Sequence, residues 1–437
     1  MSDSDDNINR EIDINIPVLA RVEGEGALEL FIKNAQVEKL NLRIFEPPRL
    51  FEKFLEGRSY QEVPDMVARI CGICPVAYQM SAVHAIESAF GVEVSPWIRA
   101  MRRVIYCGEW LESHSLHLHL LAAPDFLGFN NVAEMAKKHP DIVNRGLMLQ
   151  KIGNDLIRLL GGRSIHPIGV KVGGFFHAPK QSDVDDIRGR LQQALGEAAD
   201  LVHWCAQLDL PTIQQNFECV ALQHTTEYAI NEGRMVSTQG LDIIANEFED
   251  HFKEFQVPYS TALHCLHADK PYLVGPLARL NLNAHLLPPA IQTLIADAGF
   301  KLPSFNSFHS ITARAVEIYY ALYEAERILA EYVQPQSPTV HVTPKAGVGY
   351  ASTEAPRGTL WHRYELDEKG LIISARIVPP TSQNQARIEE DLRLALTPEI
   401  LSQDDAAIRL FCEKIIRNYD PCISCATHFL DLRIKRG

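Results

Sequence analysis

Apolar and polar positions alternate with a period of two along residues 14–44, around Gly24 and Gly26, and this pattern predicts short antiparallel strands. From about Ser59 the period lengthens. Residues 63–90, 95–123, 143–160 and 183–208 carry apolar positions at helical spacing with few breakers, and predict long helices. The segment GGRSIHPIGVKVGG, residues 161–174, interrupts them as a loop. Residues 306–333, rich in Ala, Glu, Tyr and Ile, predict a further long helix. Strand-like patterning returns over 348–380, with a turn at DEKG, residues 367–370. Two closing helices, near 385–396 and 404–418, lead into the end of the chain. No repeat, linker or compositional border divides this succession. The expected fold is mainly α with a minor antiparallel β part, in a single large helix-dominated domain starting at residue 14. Residues 1–13, MSDSDDNINREID, are acidic and polar and are expected to form a disordered tail.

Composition narrows the function classes. Of the 437 residues 46% are hydrophobic and 22% charged, ordinary globular usage. The formal net charge of -13 leaves no basic stripe to meet phosphates, so a nucleic-acid partner is not expected. No apolar run approaches the roughly 18 to 20 residues that span a bilayer, and the acidic N-terminus is the reverse of a secretory signal. A cytoplasmic protein is expected. GVGYAS (347–352) and GEG (24–26) lack the dinucleotide-binding glycine pattern, so dinucleotide binding is expected on another chain.

In a reducing compartment the nine cysteines are thiols, and their spacing is what informs. Cys107, Cys205, Cys219, Cys265 and Cys412 stand alone and read as buried free thiols. The other four form two C-x-x-C pairs, Cys71/Cys74 in VARICGICPVAYQ and Cys422/Cys425 in DPCISCATH. Two intervening residues bring a pair of thiolates into chelating range. Four thiolates select zinc, iron–sulfur clusters, copper(I) or thiolate-bound nickel over hard cations. A structural zinc site is the plain alternative, but zinc ribbons keep their pairs about 15 to 20 residues apart, whereas these bracket most of the chain. Each pair also lies in apolar, helix-like sequence. A thioredoxin-type pair is a weaker alternative, since no βαβ pattern surrounds either motif. The residues alone point to a buried soft-metal centre closed by distant parts of the chain.

RICGIC and DPCISCATH resemble the two signature motifs of [NiFe] hydrogenase large subunits. Further matches follow in order: RVEGEG, PPRLFEKFLEGR, SHSLHLHLLAAPDF and EAPRG, so the resemblance runs over essentially the full length. The PPRLFEKFLEGR and CPVAYQ wording is closest to the soluble, cytoplasmic, multisubunit class with sulfhydrogenases and pyridine-nucleotide-coupled enzymes. Membrane-bound relatives often read R-x-E-G-H and C-x-x-x-H; the corresponding residues here are Glu25 and Tyr78.

The resemblance implies a nickel–iron centre, with Cys71 and Cys422 as terminal ligands of nickel and Cys74 and Cys425 bridging to iron. The iron carries carbon monoxide and cyanide, and nickel keeps an open position for hydrogen. An open coordination site separates a catalytic metal from a structural one. The implied activity is reversible heterolytic cleavage of H2 to protons and electrons. Glu23 matches the family's proton-gate glutamate, while Glu25 reads as a surface strand residue. Arg357 is implied to lie over the diatomic ligands and to donate to cyanide, with Thr381 as a second donor. Asp125 and Asp420 are implied to orient Arg357 and the cysteine loop. Glu52 and His428 are implied to hold a magnesium ion, although histidine is a soft ligand for it. His114, His117, His119 and His166 read as core histidines; only His114 and His117 share a helix face.

The resemblance also implies that residues 429–437 are a C-terminal extension, removed between His428 and Phe429 by a maturation protease after nickel-insertion factors have acted. The hydrogenase domain is then 14–428. The five solitary cysteines cannot supply a four-cysteine cluster motif. The electrons are expected to pass to a small iron–sulfur subunit, and in this class to flavin- and NAD(P)-binding subunits. A hydrogen-sensing subunit keeps the same ligands and stays open as an alternative. Related subunits of respiratory complex I share the fold but have lost the cysteines.

Overall fold

The computed structural model describes residues 11–34, 36–213 and 215–428. Residues 1–10, most of the expected tail, and the extension 429–437 lie outside the described residues. Strand β1 (Ile12–Ile16) begins inside the expected tail because Ile12, Ile14 and Ile16 alternate onto the core with Asp13 and Asn15 exposed. It pairs with β2 (Gly26–Lys33), which pairs with β3 (Gln36–Ile44), both antiparallel, as the alternating pattern predicts.

The predicted helix over 63–90 is two helices. Val63–Val67 ends in turns through residues 68–74, and α1 (Pro75–Phe90) starts afresh. Pro75 has no N–H to continue a helix and is well suited to its first position. The buried carboxylate of Glu109 then takes the next orphan donors, Val76 N at 2.6 Å and Ala77 N at 3.0 Å. Cys71 and Cys74 therefore sit in the break, not inside a helix, and Cys74 is the residue that caps α1.

Helix α2 (Pro96–Leu116) carries Glu109 and continues through a π-helical segment, His117–Ala122. It crosses α3 (Pro140–Gly161) backbone to backbone: a Cβ on Gly153 would lie 2.5 Å from the carbonyl oxygen of Gly108. Helices α4 (Gln181–Ala206) and α5 (Ser310–Ala330) complete the helical core. The five solitary cysteines are all fully buried free thiols.

Strands β4 (Gly347–Ala355), β5 (Gly358–Leu366) and β6 (Ile372–Val378) form an antiparallel sheet. The turn before β6 is where DEKG predicts it, closed by Gly370 N to Asp367 O at 3.0 Å. Helix α6 (Pro380–Ala395) begins at Pro380, five residues ahead of the expected start, again with proline in the first turn; α7 (Asp405–Asn418) follows, capped by the Asp404 side chain. The stretch between α4 and α5, where no element is predicted, holds a four-stranded sheet of short strands. One of its pairings, Tyr272–Leu273 on Glu218–Cys219, is parallel. Among the described residues no helix is long and apolar enough to cross a membrane.

Candidate metal centre

The two cysteine pairs meet. Cys71 Sγ lies 3.3 Å from Cys422 Sγ, and Cys74 Sγ lies 3.4 Å from Cys425 Sγ. All four sulfurs fall within 4.8 Å of one another, and each residue is buried. Among the described residues this is the one such cluster of His, Cys, Asp or Glu. The first pair hangs in the break before α1, where Ile73 N donates to Cys71 Sγ at 3.3 Å. In the second, Cys422 caps the single turn Ile423–Ala426 and Cys425 lies within it.

Charge decides what such a cluster wants. Hydrogen bonds from Cys422, and then from Cys425 and Cys74, hold Cys71 well below the usual thiol range, whereas burial pushes Cys422 and Cys425 up. Four thiolates out of water require a compensating positive charge.

Arg357 is one part of that charge. It occupies the two-residue loop joining β4 and β5, opposite the start of α6. Its Nε donates to the Asp420 carbonyl at 2.6 Å, its Nη2 to Asp420 Oδ1 at 3.0 Å, and its Nη1 only weakly to Ser113 Oγ at 3.4 Å. Burial works against its charge, but Asp420 and the cysteine sulfurs outweigh it and hold the guanidinium protonated. Asp420 adopts a left-handed φ of 55° just before Pro421, which turns the chain into the second pair. Thr381, at the head of α6, accepts from Cys422 N at 3.1 Å.

Glu23 lies alongside the second pair. Its carbonyl accepts from Ile423 N at 3.1 Å and its Oε2 from Ser424 N at 3.0 Å. Burial first, and Cys71 second, raise its pKa. Glu25 is exposed, as its position two residues along the same segment implies.

Asp125 departs from expectation. It does not touch Arg357: it pairs with Arg21 at 2.5 Å and with Arg417 at 2.7 and 2.9 Å. It thereby ties the N-terminal segment to the end of α7, just ahead of Asp420. The histidines also separate. His114 faces Glu317 at 2.9 Å, His117 the Arg417 carbonyl at 2.7 Å, His119 the Ser115 carbonyl at 3.0 Å and His166 the Ala68 carbonyl at 2.7 Å. They form no cluster.

His428 Nε2 lies 2.7 Å from the Ile377 carbonyl and 3.5 Å from Glu52 Oε1, with Nδ1 2.5 Å from the Cys425 carbonyl. Its own carbonyl accepts from Phe51 N at 2.7 Å. Two oxygen donors and one nitrogen donor thus converge beside the sulfur cage.

Several supporting residues have no mark in the sequence. Glu109 caps α1 from another helix. Arg49 donates to the carbonyls of Ile70, at 2.6 Å, and of Ser424, and so ties both cysteine segments together; it sits in the PPRLFEKFLEGR wording, yet nothing local singles it out. The fully buried Arg279 donates to Glu317 at 2.7 Å, to Glu354 at 2.9 Å, and to the carbonyls of Ala355 and Pro356, which fixes the hairpin bearing Arg357. It also stacks on Trp110, 4.5 Å from the ring centroid.

Comparison with known proteins agrees with this arrangement. The family model "Nickel-dependent hydrogenase" matches residues 49–145 and 237–428. The alpha subunit of sulfhydrogenase 1 from Pyrococcus furiosus is 32% identical over 428 residues, covering 97% of this chain and 100% of that protein. The beta subunit of the NAD-reducing hydrogenase HoxS from Cupriavidus necator is 28% identical, covering 95% of this chain and 94% of that protein. A solved NAD+-reducing [NiFe]-hydrogenase in its H2-reduced state superposes with a TM-score of 0.85 at 26% identity, over 95% of this chain and 99% of that one.

Proposed function

Because the chain belongs to the nickel-dependent hydrogenases as a large subunit, we propose that it is the catalytic subunit of a [NiFe] hydrogenase, cleaving H2 reversibly and passing electrons to an iron–sulfur partner and onward to NAD(P). The observation that carries this reading is the enclosed four-sulfur cage with Arg357 and Glu23 against it. An all-sulfur donor set suits nickel and low-spin iron, and its surplus negative charge calls for cations. When bound, a nickel–iron centre with carbon monoxide and cyanide on iron supplies the heterolytic cleavage and the electron transfer.

The chain's residues then have distinct tasks. Cys71, Cys74, Cys422 and Cys425 would hold the metals. Arg357 has committed two donor groups to Asp420, which leaves Nη1, weakly engaged by Ser113, to donate to a cyanide nitrogen. The Thr381 hydroxyl offers a second donor. Asp420 holds the guanidinium in place, and Asp125 braces the approach to the loop through Arg417. Glu23, raised above the ordinary carboxylate range and hydrogen-bonded by the Cys422 side chain, is suited to take a proton from that sulfur and release it. Glu52, the Ile377 carbonyl and His428 together suit a magnesium ion, the oxygens being the hard donors.

The electron exit calls for another subunit, since the solitary cysteines lie scattered through the core. Gly72 is exposed between the two ligands of the first pair, so a partner's cluster can approach the cage there with one residue between. Coupling to NAD(P) rests on the NAD-reducing relatives. A cytoplasmic location fits that class. Cleavage after His428, by a maturation protease following nickel insertion, fits the tying of the His428 carbonyl to Phe51.

Metal analysis with infrared spectroscopy tests the reading. Nickel and iron in equal amounts, with bands for bound carbon monoxide and cyanide, are expected; zinc alone without such bands would overturn it.

A further inference from the structure

We propose that Ser424 and Glu46 form a proton relay that carries protons from Glu23 to the surface; the proposal rests on the hydrogen-splitting reading above. Glu23 is half-buried against the cysteine loop, so a proton held there has still to pass on toward water. Its Oε2 accepts from Ser424 N at 3.0 Å, and the side chains of Ser424 and Cys422 both act on its carboxyl group. Ser424 Oγ lies 3.5 Å from Glu46 Oε2, and Glu46 Oε1 accepts from Glu25 N at 2.9 Å. Glu46 is partly exposed, and Phe45, Pro47 and Glu25 around it are exposed. A run of neighbouring proton-carrying groups thus leads from the Cys422 side of the cage toward a partly exposed carboxyl group.

The groups have the right chemistry. A hydroxyl can accept a proton from one carboxylic acid while giving its own to a second, which a backbone N–H cannot do. The Arg49 guanidinium keeps its protons and serves to hold the Ser424 carbonyl. Gly24 makes the approach possible: it sits at a φ of 88°, and a Cβ there would lie 2.6 Å from both Glu46 Oε1 and Ile423 Cβ. The glycine of RVEGEG therefore leaves the space in which Glu46 comes up to the cysteine loop.

The proton balance closes. Cys422 S–H gives its proton to Glu23. Glu23 gives a proton to Ser424 Oγ as Ser424 gives its own to Glu46, and Glu46 releases it to water. The serine hydroxyl then rotates back, and every group regains its starting state. No electron moves along this route. Glu46 touches no ligand, so it is a relay residue acting through Ser424 and Glu23.

The test is made on the nickel-loaded complex with its partner subunits. Conversion of para- to ortho-H2 reports cleavage with return of the same proton, whereas H–D exchange with D2O reports proton exit. In Glu46→Gln, solvent exchange is expected to fall by about tenfold or more while para–ortho conversion stays within about twofold. Ser424→Ala is expected to do the same, and Glu46→Asp to keep part of the exchange. A small carboxylic acid added to Glu46→Ala should restore exchange. An infrared difference spectrum of the wild type should contain a D2O-sensitive carboxylic C=O band that Glu46→Gln lacks. Undiminished exchange in both Glu46→Gln and Ser424→Ala, at full nickel content, overturns the relay. Should Glu46→Gln fail to load nickel, Glu46→Asp decides by the same two assays: unchanged exchange there, with no C=O shift, also overturns it. A nickel-loaded wild type that performs neither conversion nor exchange sinks the hydrogen-splitting reading instead.

Discussion

Arg357 gives up its hold on Asp420 and its donor toward the cage if it is shortened to lysine. The charge survives, but the bidentate hold on Asp420 and the free donor toward the cage do not, since a lysine ammonium is a point charge without a fork. Each hydrogen bond to a charged group is worth about 1.5–3 kcal/mol. Arg357→Lys is therefore expected to lower H2 oxidation by about tenfold to a hundredfold and to shift the cyanide bands, with nickel content retained; activity and infrared spectra read on one preparation check this. At this scale the sequence was legible for the residues that gather at the sulfur cage and less so for those that brace it. The cysteines announce themselves by spacing, and Glu23, Arg357 and Asp420 by the motifs around them. Asp125 was legible as a site residue but not in its partners, because Arg21 and Arg417 lie about a hundred and nearly three hundred positions away along the chain. Glu109 and Arg279 carry no local signature, since a buried charge is defined by what surrounds it.

Elements meet the site through the α2–α3 crossing. Gly108 and Gly153 let the two backbones touch, and α2 carries both the Glu109 cap of α1 and the Ser113 contact of Arg357. Gly153→Ala puts a methyl group 2.5 Å from a carbonyl oxygen and 2.6 Å from the Glu112 nitrogen. Overpacking of this kind costs about 1–3 kcal/mol. A lower melting temperature is expected together with weaker nickel retention; a melting curve and metal content that both match wild type would show that the crossing can part without disturbing α1. The long helices and the hairpin sheet could be read from periodicity. The break before Pro75 could not, because the apolar pattern runs straight through it and the cap that ends the ambiguity comes from another helix. The sheet between α4 and α5 escaped because most of its strands are two to four residues long, too short for an alternation to register.

For the molecule as a whole, acid is the expected weakness. Burial lowers His114 and His119 to about 4 and His117 to about 3, against an ordinary value of 6.5. Their folded pKa values are depressed, so the unfolded chain binds more protons below pH 6.5 and stability falls as pH falls from there toward 4. Each histidine contributes up to about 2 kcal/mol of that loss between pH 6.5 and 5. Glu317 is buried, but Arg279 holds it down at about 2, so its contribution is present above its ordinary value of 4.5 and disappears only between there and 2. Thermal unfolding should thus shift steeply downward between pH 6.5 and 5 and little between 7 and 8. A melting temperature flat across pH 5 to 7 would contradict the neutral burial of these rings.

Arg279 links Glu317 on α5, Glu354 on β4 and the two carbonyls of the Arg357 hairpin, and it does so fully out of water. Opening that region means exposing a cation and two carboxylates together with the aromatic ring beneath them, so it opens last. In amide hydrogen exchange the backbone N–H groups of residues 350–362 should be among the slowest in the protein, exchanging only by global unfolding. Binding loops in many proteins sit at the soft end of the stability range. Here the segment that presents its guanidinium to the sulfur cage is expected at the hard end, so warming should release the periphery well before it loosens the cage.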